Sequence, residues 1–387
     1  MSAEMMQGMI YQGEQGYVWV ARTEHSGKAG LLLYFANPDA RKLHAVDEQG
    51  MKELHRAVVA ASDAATQDAS LSFCIFHGAY DPLHAGADVT MFAGDPDYSA
   101  VKDHLYRGTE VDTLVKLLWP RLRTVSIFQG DRFGGSVEWP LFAQWAVADA
   151  RARIQFTEVQ LGIIPGWNGL LNAVLRTHPA NVRYMGQTGN PLTGEQMQKM
   201  GLAQTVVATP APPDRRSVPP EQWPSVWAAH AEVCQRLLLD AALSLATQDA
   251  EPRPAKGFRI CTDEDLGEEV RRRTDLPRYR ALKARFRQDA ERIDAQAQPD
   301  AMKTLMREIT SELNRLGKPL APRAVAAVSQ FVQRWSALPK AELLRRFDEA
   351  GHHEADLCDE LMHTEHRRTG MNAVLTRVPA ERIPLFE

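Results

Sequence analysis

Gln129-Gly130-Asp131-Arg132-Phe133-Gly134-Gly135-Ser136-Val137-Glu138-Trp139 is the stretch that decides the fold. The residues leading into it, TVSIFQG over 124–130, are β-branched and apolar and stop at a glycine, the mark of a strand running into a turn. Gly134-Gly135 permits a backbone reversal and a close approach that any side chain would block. After the turn, GSVEWPLFAQWAVA over 135–148 reads as a helix. Glu138 is flanked by Val137 and Trp139, poor company for a solvated carboxylate, and so becomes a candidate for chemistry.

Outward from this stretch the same order of strand, turn and helix recurs. YVWVARTEHSGKAGLLLYFA, residues 17–36, holds two β-type segments around the turn-like HSGKAG, and VDEQGMKELHRAVVAASDAA follows with apolar residues at helical spacing. SLSFCIFHGAY, residues 70–80, is a short apolar strand ending in Gly and a Tyr-Asp-Pro turn. Recurrent units of this kind predict an α/β architecture, although no internal sequence repeat marks them. TPAPPDRRSVPPEQWP, residues 209–224, carries six prolines without hydrophobic periodicity and reads as a connector. It separates a core domain, 1–208, from a C-terminal domain, 225–387, whose patterning is helical. There AEVCQRLLLDAALSLA comes first, then a charge-dense stretch from Asp263 to Gln296 that reads as solvated helix faces, then amphipathic segments out to Leu375.

With 387 residues, 44% hydrophobic and 24% charged, the chain is neither collagenous, nor a disulfide scaffold, nor wholly disordered. A net charge of -4 supplies no field that could track a phosphate backbone, so nucleic acid is not an expected partner. Cys74, Cys234, Cys261 and Cys358 lie too far apart for a CxxC knuckle and are read as free thiols, small and buried. No stretch approaches the roughly 18 apolar residues of a membrane span. The opening MSAEMMQGMIYQGEQG lacks a basic segment followed by an apolar run, so a cytoplasmic protein is expected. His352, His353, His363 and His366 cluster late in the chain without an HExxH pattern, and they read as solvated side chains with no metal.

Further collinear segments give the central stretch its context. His84-Ala85-Gly86-Ala87-Asp88-Val89 follows an apolar strand and is similar to the AGxD loop of the crotonase (enoyl-CoA hydratase/isomerase) superfamily. The 129–139 stretch is similar to that family's NGxxxGGGxEL turn, and Phe156-Thr157-Glu158-Val159-Gln160-Leu161-Gly162-Ile163-Ile164-Pro165-Gly166 to its FxxPExxLGxxPG. GNPLTGEQMQKMGLAQTV, residues 189–206, resembles the structural segment that ends in AxxxGLV. The resemblance runs from about residue 31 to 207 and implies a spiral of ββα units with a helical C-terminal region. Ser136 stands where the family has its third glycine and Thr157 where it has proline. Pro165-Gly166-Trp167-Asn168-Gly169 puts an aromatic and an amide where hydratases commonly show PGxGG.

What the resemblance implies is chemistry on acyl-CoA thioesters. Such substrates react through an enolate-like state, and two backbone N–H groups aimed at the thioester oxygen stabilise it. By match these are Ala87 and Gly135, with Gly86 and Gly134 allowing close approach and a helix N-terminus adding its dipole. Glu138 and Glu158 match the two glutamates that hold a water in the hydratases, one as base and one as acid, in an order the sequence leaves open. Two carboxyls sharing a poorly solvated site cannot both ionise easily, which keeps an acid available near neutral pH. Ala85, Gly86, Asp88, Gly134, Pro165, Gly166 and Trp167 are expected around the substrate. Ala85 is placed to offer its carbonyl to the adenine amine, and Arg41 and Lys42 are either a solvated basic pair or the partners of the CoA phosphates. Coenzyme A enters as part of the substrate, and no further cofactor is implied.

The leading expectation is a hydro-lyase acting on a 2-enoyl-CoA, assembled as a homotrimer or dimer of trimers. Within the family the alternatives are a hydrolase of an acyl-CoA thioester or of the ring ketone of a cyclic ketoacyl-CoA, although Glu138 weighs against the hydroxyacyl-CoA hydrolases of similar length, and an enoyl-CoA isomerase, over which a pair of glutamates favours hydration without excluding it. A catalytically silent crotonase-fold scaffold is the alternative of a different class. Trp139 and Trp145 read as core aromatics, and EADLCDELMHTEHRRTGMNAVL, residues 354–375, resembles the family's closing helix over the acyl site.

Overall fold

In the computed structural model, which describes residues 8–249, 257–376 and 382–386, three antiparallel strands open the chain: β1 (Met9–Gln12), β2 (Val18–His25) and β3 (Lys28–Phe35). Residues 1–7 of the opening stretch, and 377–381 and 387 of the C-terminal domain, lie outside the described residues. Ser26 and Gly27 join β2 to β3 with φ of 51° and 72°, the paired positive angles that suit a two-residue hairpin. Asp47 then caps α1 (Glu48–Gln67), its side chain accepting from Gly50 N at 2.9 Å.

Units of two strands and a helix follow. They are β4 (Leu71–Gly78) and β5 (Leu83–His84) with α2 (Tyr98–Leu118), β6 (Arg123–Phe128) and β7 (Asp131–Phe133) with α3 (Gly135–Glu138), and β8 (Trp145–Asp149) and β9 (Arg153–Gln155) with α4 (Glu158–Leu161). The first strand of each joins a seven-stranded sheet, β1-β2-β3-β4-β6-β8, completed by β11 (Thr205–Val207). The second strand of each joins a four-stranded sheet of order β10-β9-β7-β5, with β10 at Leu192–Thr193. The repeat that the sequence hides is therefore one of geometry. Between β9 and β11 lie α5 (Gly169–Arg176), α6 (Pro179–Thr188) and α7 (Gly194–Met200).

One expectation fails within this core. The helix read over 135–148 ends at Glu138, passes through a 3₁₀ turn at Trp139–Phe142 and gives way to β8. Pro140 lacks the N–H a continuing helix needs, and Trp145–Ala148 instead pair in parallel with Val125–Phe128. A short buried apolar run has no period that separates strand from helix.

Beyond the prolines the chain is helical: α8 (Trp223–Thr247), α9 (Asp263–Arg273), α10 (Leu276–Glu291), α11 (Pro299–Leu316), α12 (Pro322–Trp335), α13 (Lys340–Arg345), α14 (Phe347–Met362) and α15 (Glu365–Leu375). α8 begins inside the connector with Pro224 in its first turn, where the missing N–H costs nothing. Its Leu238 and Ala242 pack on Phe73, Ile75, Val125 and Ile127 of the large sheet. Val328 and Phe331 of α12 and Ala355 of α14 belong to the main core with Leu54, Leu105 and Leu171. α10 and α11 close a smaller core around Tyr279, Phe286 and Ile309.

Leu238 is wholly buried, so Leu238→Ala is expected to cost about 2–5 kcal/mol in a urea titration. An unchanged midpoint would mean that α8 does not cover the sheet in solution.

Candidate active site

The loop after β5 is fixed by the chain ahead of α1. Ala85 N donates to Leu43 O at 2.8 Å, Val46 N to Gly86 O at 2.9 Å and Asp88 N to Val46 O at 3.0 Å. This bridge uses the groups on either side of Ala87 and leaves the Ala87 N–H without an acceptor among the described residues.

The glycine turn meets that loop directly. Gly134 takes φ 54° and ψ -128°, a conformation that favours glycine, and α3 starts behind it. Gly135 N–H is thus a first-turn donor, and no described residue accepts it. A Cβ on Gly86 would lie 2.5 Å from Gly135 N. Ser136 ties the two loops, its Oγ 2.9 Å from both His84 O and Phe133 O while accepting from Phe133 N at 2.9 Å.

Glu138 ends α3 and Glu158 begins α4, at 2% and 6% exposure, and both face one cavity. Glu138 Oε2 accepts from Trp167 N at 2.8 Å and Gly169 N at 2.9 Å. Glu158 Oε2 is buried with no partner among the described residues. Its Oε1 lies over Gly134, where a Cβ would sit 2.8 Å away. Burial pushes Glu138 up to about 7, against the pull of the backbone N–H groups. Burial first, and then the charge of Glu138, push Glu158 well above the ordinary carboxylate range.

The N-terminus of α5 carries this arrangement. Asn168 precedes it with φ 65° and gives no side-chain cap. Its Nδ2 and that of Asn172 donate to Asp112 Oδ2 at 2.9 and 2.7 Å, and Asp112 pairs with Lys116 in the interior. The N–H groups of Leu170 and Leu171 donate to the two oxygens of Glu354, at 3.0 and 2.8 Å.

The cavity encloses about 650 Å³. Arg41, Lys42, Ala85, Gly86, Ala87 and Asp88 face it from one side, and Gly134, Gly135, Glu138, Glu158, Gly166 and Trp167 from the other. Pro165 is buried in the turn beneath and does not face it. Asp88 caps the turn at Val89–Phe92 and pairs with Lys42 at 3.4 Å, and Lys42 also pairs with Asp47 at 2.9 Å. Arg41 is bound to Asp39 at 2.8 Å with its side chain 90% exposed. The Trp167 indole lies between two glycines, where a Cβ on Gly108 or Gly135 would approach it to 2.2 or 2.1 Å.

The stretch 354–375, expected to close over the site, supplies its C-terminal wall, while Lys318 was not singled out in the sequence. Cys358 and Met362 of α14 and Val374 of α15 line the cavity, as does Lys318. α15 seats by backbone contact: a Cβ on Gly370 would meet Leu161 carbonyl atoms at 2.4 Å, and one on Gly162 those of His366 at 2.4 Å. Reciprocal glycines at 162 and 370 were the available signal. The four cysteines are free thiols, and Cys74, Cys234 and Cys358 are buried as expected while Cys261 is only partly so. The solvated reading of the clustered histidines holds at His352 and His363 but fails at His366, which is buried against Phe386; His353 accepts from Trp335 Nε1 at 2.9 Å, and His363 stacks on Tyr98. Among the described residues no group of His, Cys, Asp and Glu is placed to hold a metal, and no helix is long and apolar enough to cross a membrane.

A spiral of ββα units that brings two unengaged backbone N–H groups and two buried carboxyls to one apolar cavity defines a crotonase fold. Residues 33–215, a little under half of the chain, match the enoyl-CoA hydratase/isomerase family model. The fatty acid oxidation complex subunit alpha of Pseudomonas putida is 28% identical over 203 residues, 52% of this chain and 27% of that protein. The chain thus spans about a quarter of the length of the curated relatives it matches. Among solved structures, an enoyl-CoA hydratase from Rhodobacter sphaeroides is 17% identical with a TM-score of 0.53, covering 92% of this chain and 89% of that one. A carnitinyl-CoA dehydratase from Mycobacterium thermoresistibile is 18% identical with a TM-score of 0.53, covering 95% and 93%. At these identities the likeness speaks to fold.

A carboxyl that ionises less readily folded than unfolded makes the folded state hold protons the unfolded chain has shed. Its contribution is complete below the unfolded value of 4.5 and is lost as pH rises toward about 7 for Glu138. Glu158→Gln removes one such group, so its urea midpoint should fall less steeply than the parent's between about pH 5 and pH 8. Parallel slopes would contradict the buried, shifted carboxyl.

Proposed function

We propose that the protein is a hydro-lyase that adds water across the double bond of a 2-enoyl-CoA thioester. The observation that carries this reading is the placement of Glu138 and Glu158, both buried, on the walls of the cavity that Ala87 and Gly135 also line, the N–H groups of those two being unengaged among the described residues. The thioester oxygen accepts from those two donors and gathers the negative charge as the oxygen of water bonds to the β-carbon. One glutamate, ionised, takes a proton from that water; the other, protonated, delivers its proton to the α-carbon. Burial keeps one carboxyl of the pair protonated at neutral pH, so acid and base are present together. Arg41 and Lys42 receive the CoA phosphates: the surface pairings that hold them are of a kind worth little, so exchanging them for phosphate oxygens costs little.

A second reading has its own support. Glu138 Oε2 is already bonded to two backbone N–H groups, whereas Glu158 Oε2 is bonded to nothing among the described residues. A single-base isomerase, with Glu158 alone moving the proton, fits that asymmetry.

The two readings part on one experiment. With crotonyl-CoA, loss of the conjugated absorbance without thiol release reports hydration, and Glu138→Gln and Glu158→Gln should each lower turnover about 100-fold or more. Acyl-CoA binding should survive both, because the oxyanion donors are backbone groups. No hydration of crotonyl-CoA, with a 3-enoyl-CoA gaining conjugated absorbance in the parent and in Glu138→Gln but not in Glu158→Gln, would hand the site to the isomerase reading. Trp167, packed against the donor Gly135, limits room for the acyl group. Trp167→Ala should accordingly shift the preferred substrate to longer acyl chains across a C4 to C12 panel, and an unmoved profile would place the acyl group elsewhere.

A further inference from the structure

The N-terminus of α5 is capped in an unusual way. Its neighbouring Asn168 offers no side-chain cap, and the N–H groups of the first turn are divided between two carboxyls distant in sequence. Trp167 N and Gly169 N go to Glu138, and Leu170 N and Leu171 N go to Glu354. Glu354 is wholly buried and does not face the cavity. It stands on α14, beyond the connector, with no cation bonded to it among the described residues. The ionisable groups that face the pair are Asp112 and its partner Lys116 on α2, Glu158 on α4 and Cys358 on α14.

We infer that Glu354 is a positioning residue for Glu138: by gripping the Leu170 and Leu171 N–H groups it fixes the turn whose preceding N–H groups hold the Glu138 carboxyl. This rests on the proposed role of Glu138. The N–H groups of Gly169, Leu170 and Leu171 share the first turn of α5, so a shift of the part held by Glu354 displaces the part that holds Glu138. A short local cap of Ser or Asp would satisfy the donors equally well. A carboxyl carried in from α14 does something a local cap does not, since it makes the geometry of Glu138 depend on the C-terminal helices being seated. Glu354 is also a weak choice for stability alone, because burial and then Glu138 raise its pKa well above the ordinary range.

The test is a double-mutant cycle on the full chain with crotonyl-CoA. Glu354→Gln keeps the volume but turns an amide N–H₂ toward one of the two backbone donors, and it should lower kcat about 10-fold or more with KM changed less than about threefold. In a Glu138→Gln background the same substitution should change the residual turnover by less than about twofold, because its effect passes through Glu138. Equal losses in both backgrounds, or none in the parent, would overturn the inference, since a merely structural role is additive. Should Glu354→Gln not fold, Glu354→Asp, which retains the carboxyl but withdraws it by a methylene, replaces it in the same cycle with the same criteria. A parent chain that hydrates no enoyl-CoA would refute the proposed function instead, a distinct result.

Discussion

The close approach of two backbones, at Gly86 and at Gly134-Gly135, is the constraint on which the rest of the structure depends. No side chain fits at any of the three: a Cβ would strike Gly135 N, Glu158 Oε1 or the Trp167 ring respectively. That closeness brings Ala87 and Gly135, in the loops that follow β5 and β7, to one cavity with their N–H groups unengaged among the described residues, and Ser136 Oγ holds the loops together. The ββα repeat supplies the means. Each unit delivers the end of one short strand, at His84, Phe133 and Gln155, to the same side of the small sheet, and each is followed by one component of the site.

The second feature is electrostatic. Glu138, Glu158, Glu354 and Asp112 are all removed from water, and among the described residues only Asp112 has a cation within salt-bridge distance, Lys116. Isolated buried charge is expensive, and such a cluster persists by holding protons and by using backbone N–H groups as partners. Stability is therefore surrendered around the cavity and recovered in the apolar packing of the main core and of the α8 face.

Much of this was legible in the sequence, for definite reasons. Strands that end in glycine, the spacing of Gly135 to Glu138, and Glu158 ahead of Pro165-Gly166 are local patterns with local causes, and the structure brings those residues to one cavity. Where the sequence misled, distant partners decided. Trp145–Asp149 became a strand because β6 and β11 lie beside it, which no window of fifteen residues contains. Glu354 reads as one more acid on a helix with Asp348, Asp356 and Asp359, and only its burial against α5, 184 residues away, sets it apart. Asp88 both lines the cavity and caps the turn that follows it, whereas Pro165, grouped with it by pattern, is buried away from the cavity.

The backbone seat between α4 and α15 has a consequence for biosynthesis. Because Gly370 must rest against Leu161 with nothing between them, the wall made by α14 and α15 forms only after those residues have left the ribosome. The spiral is complete in sequence at Val207. At roughly 5–20 residues per second, about ten to thirty seconds pass before Gly370 is translated. The burial that shifts Glu138 and Glu158 is therefore completed only when a wall encoded well beyond the spiral is in place.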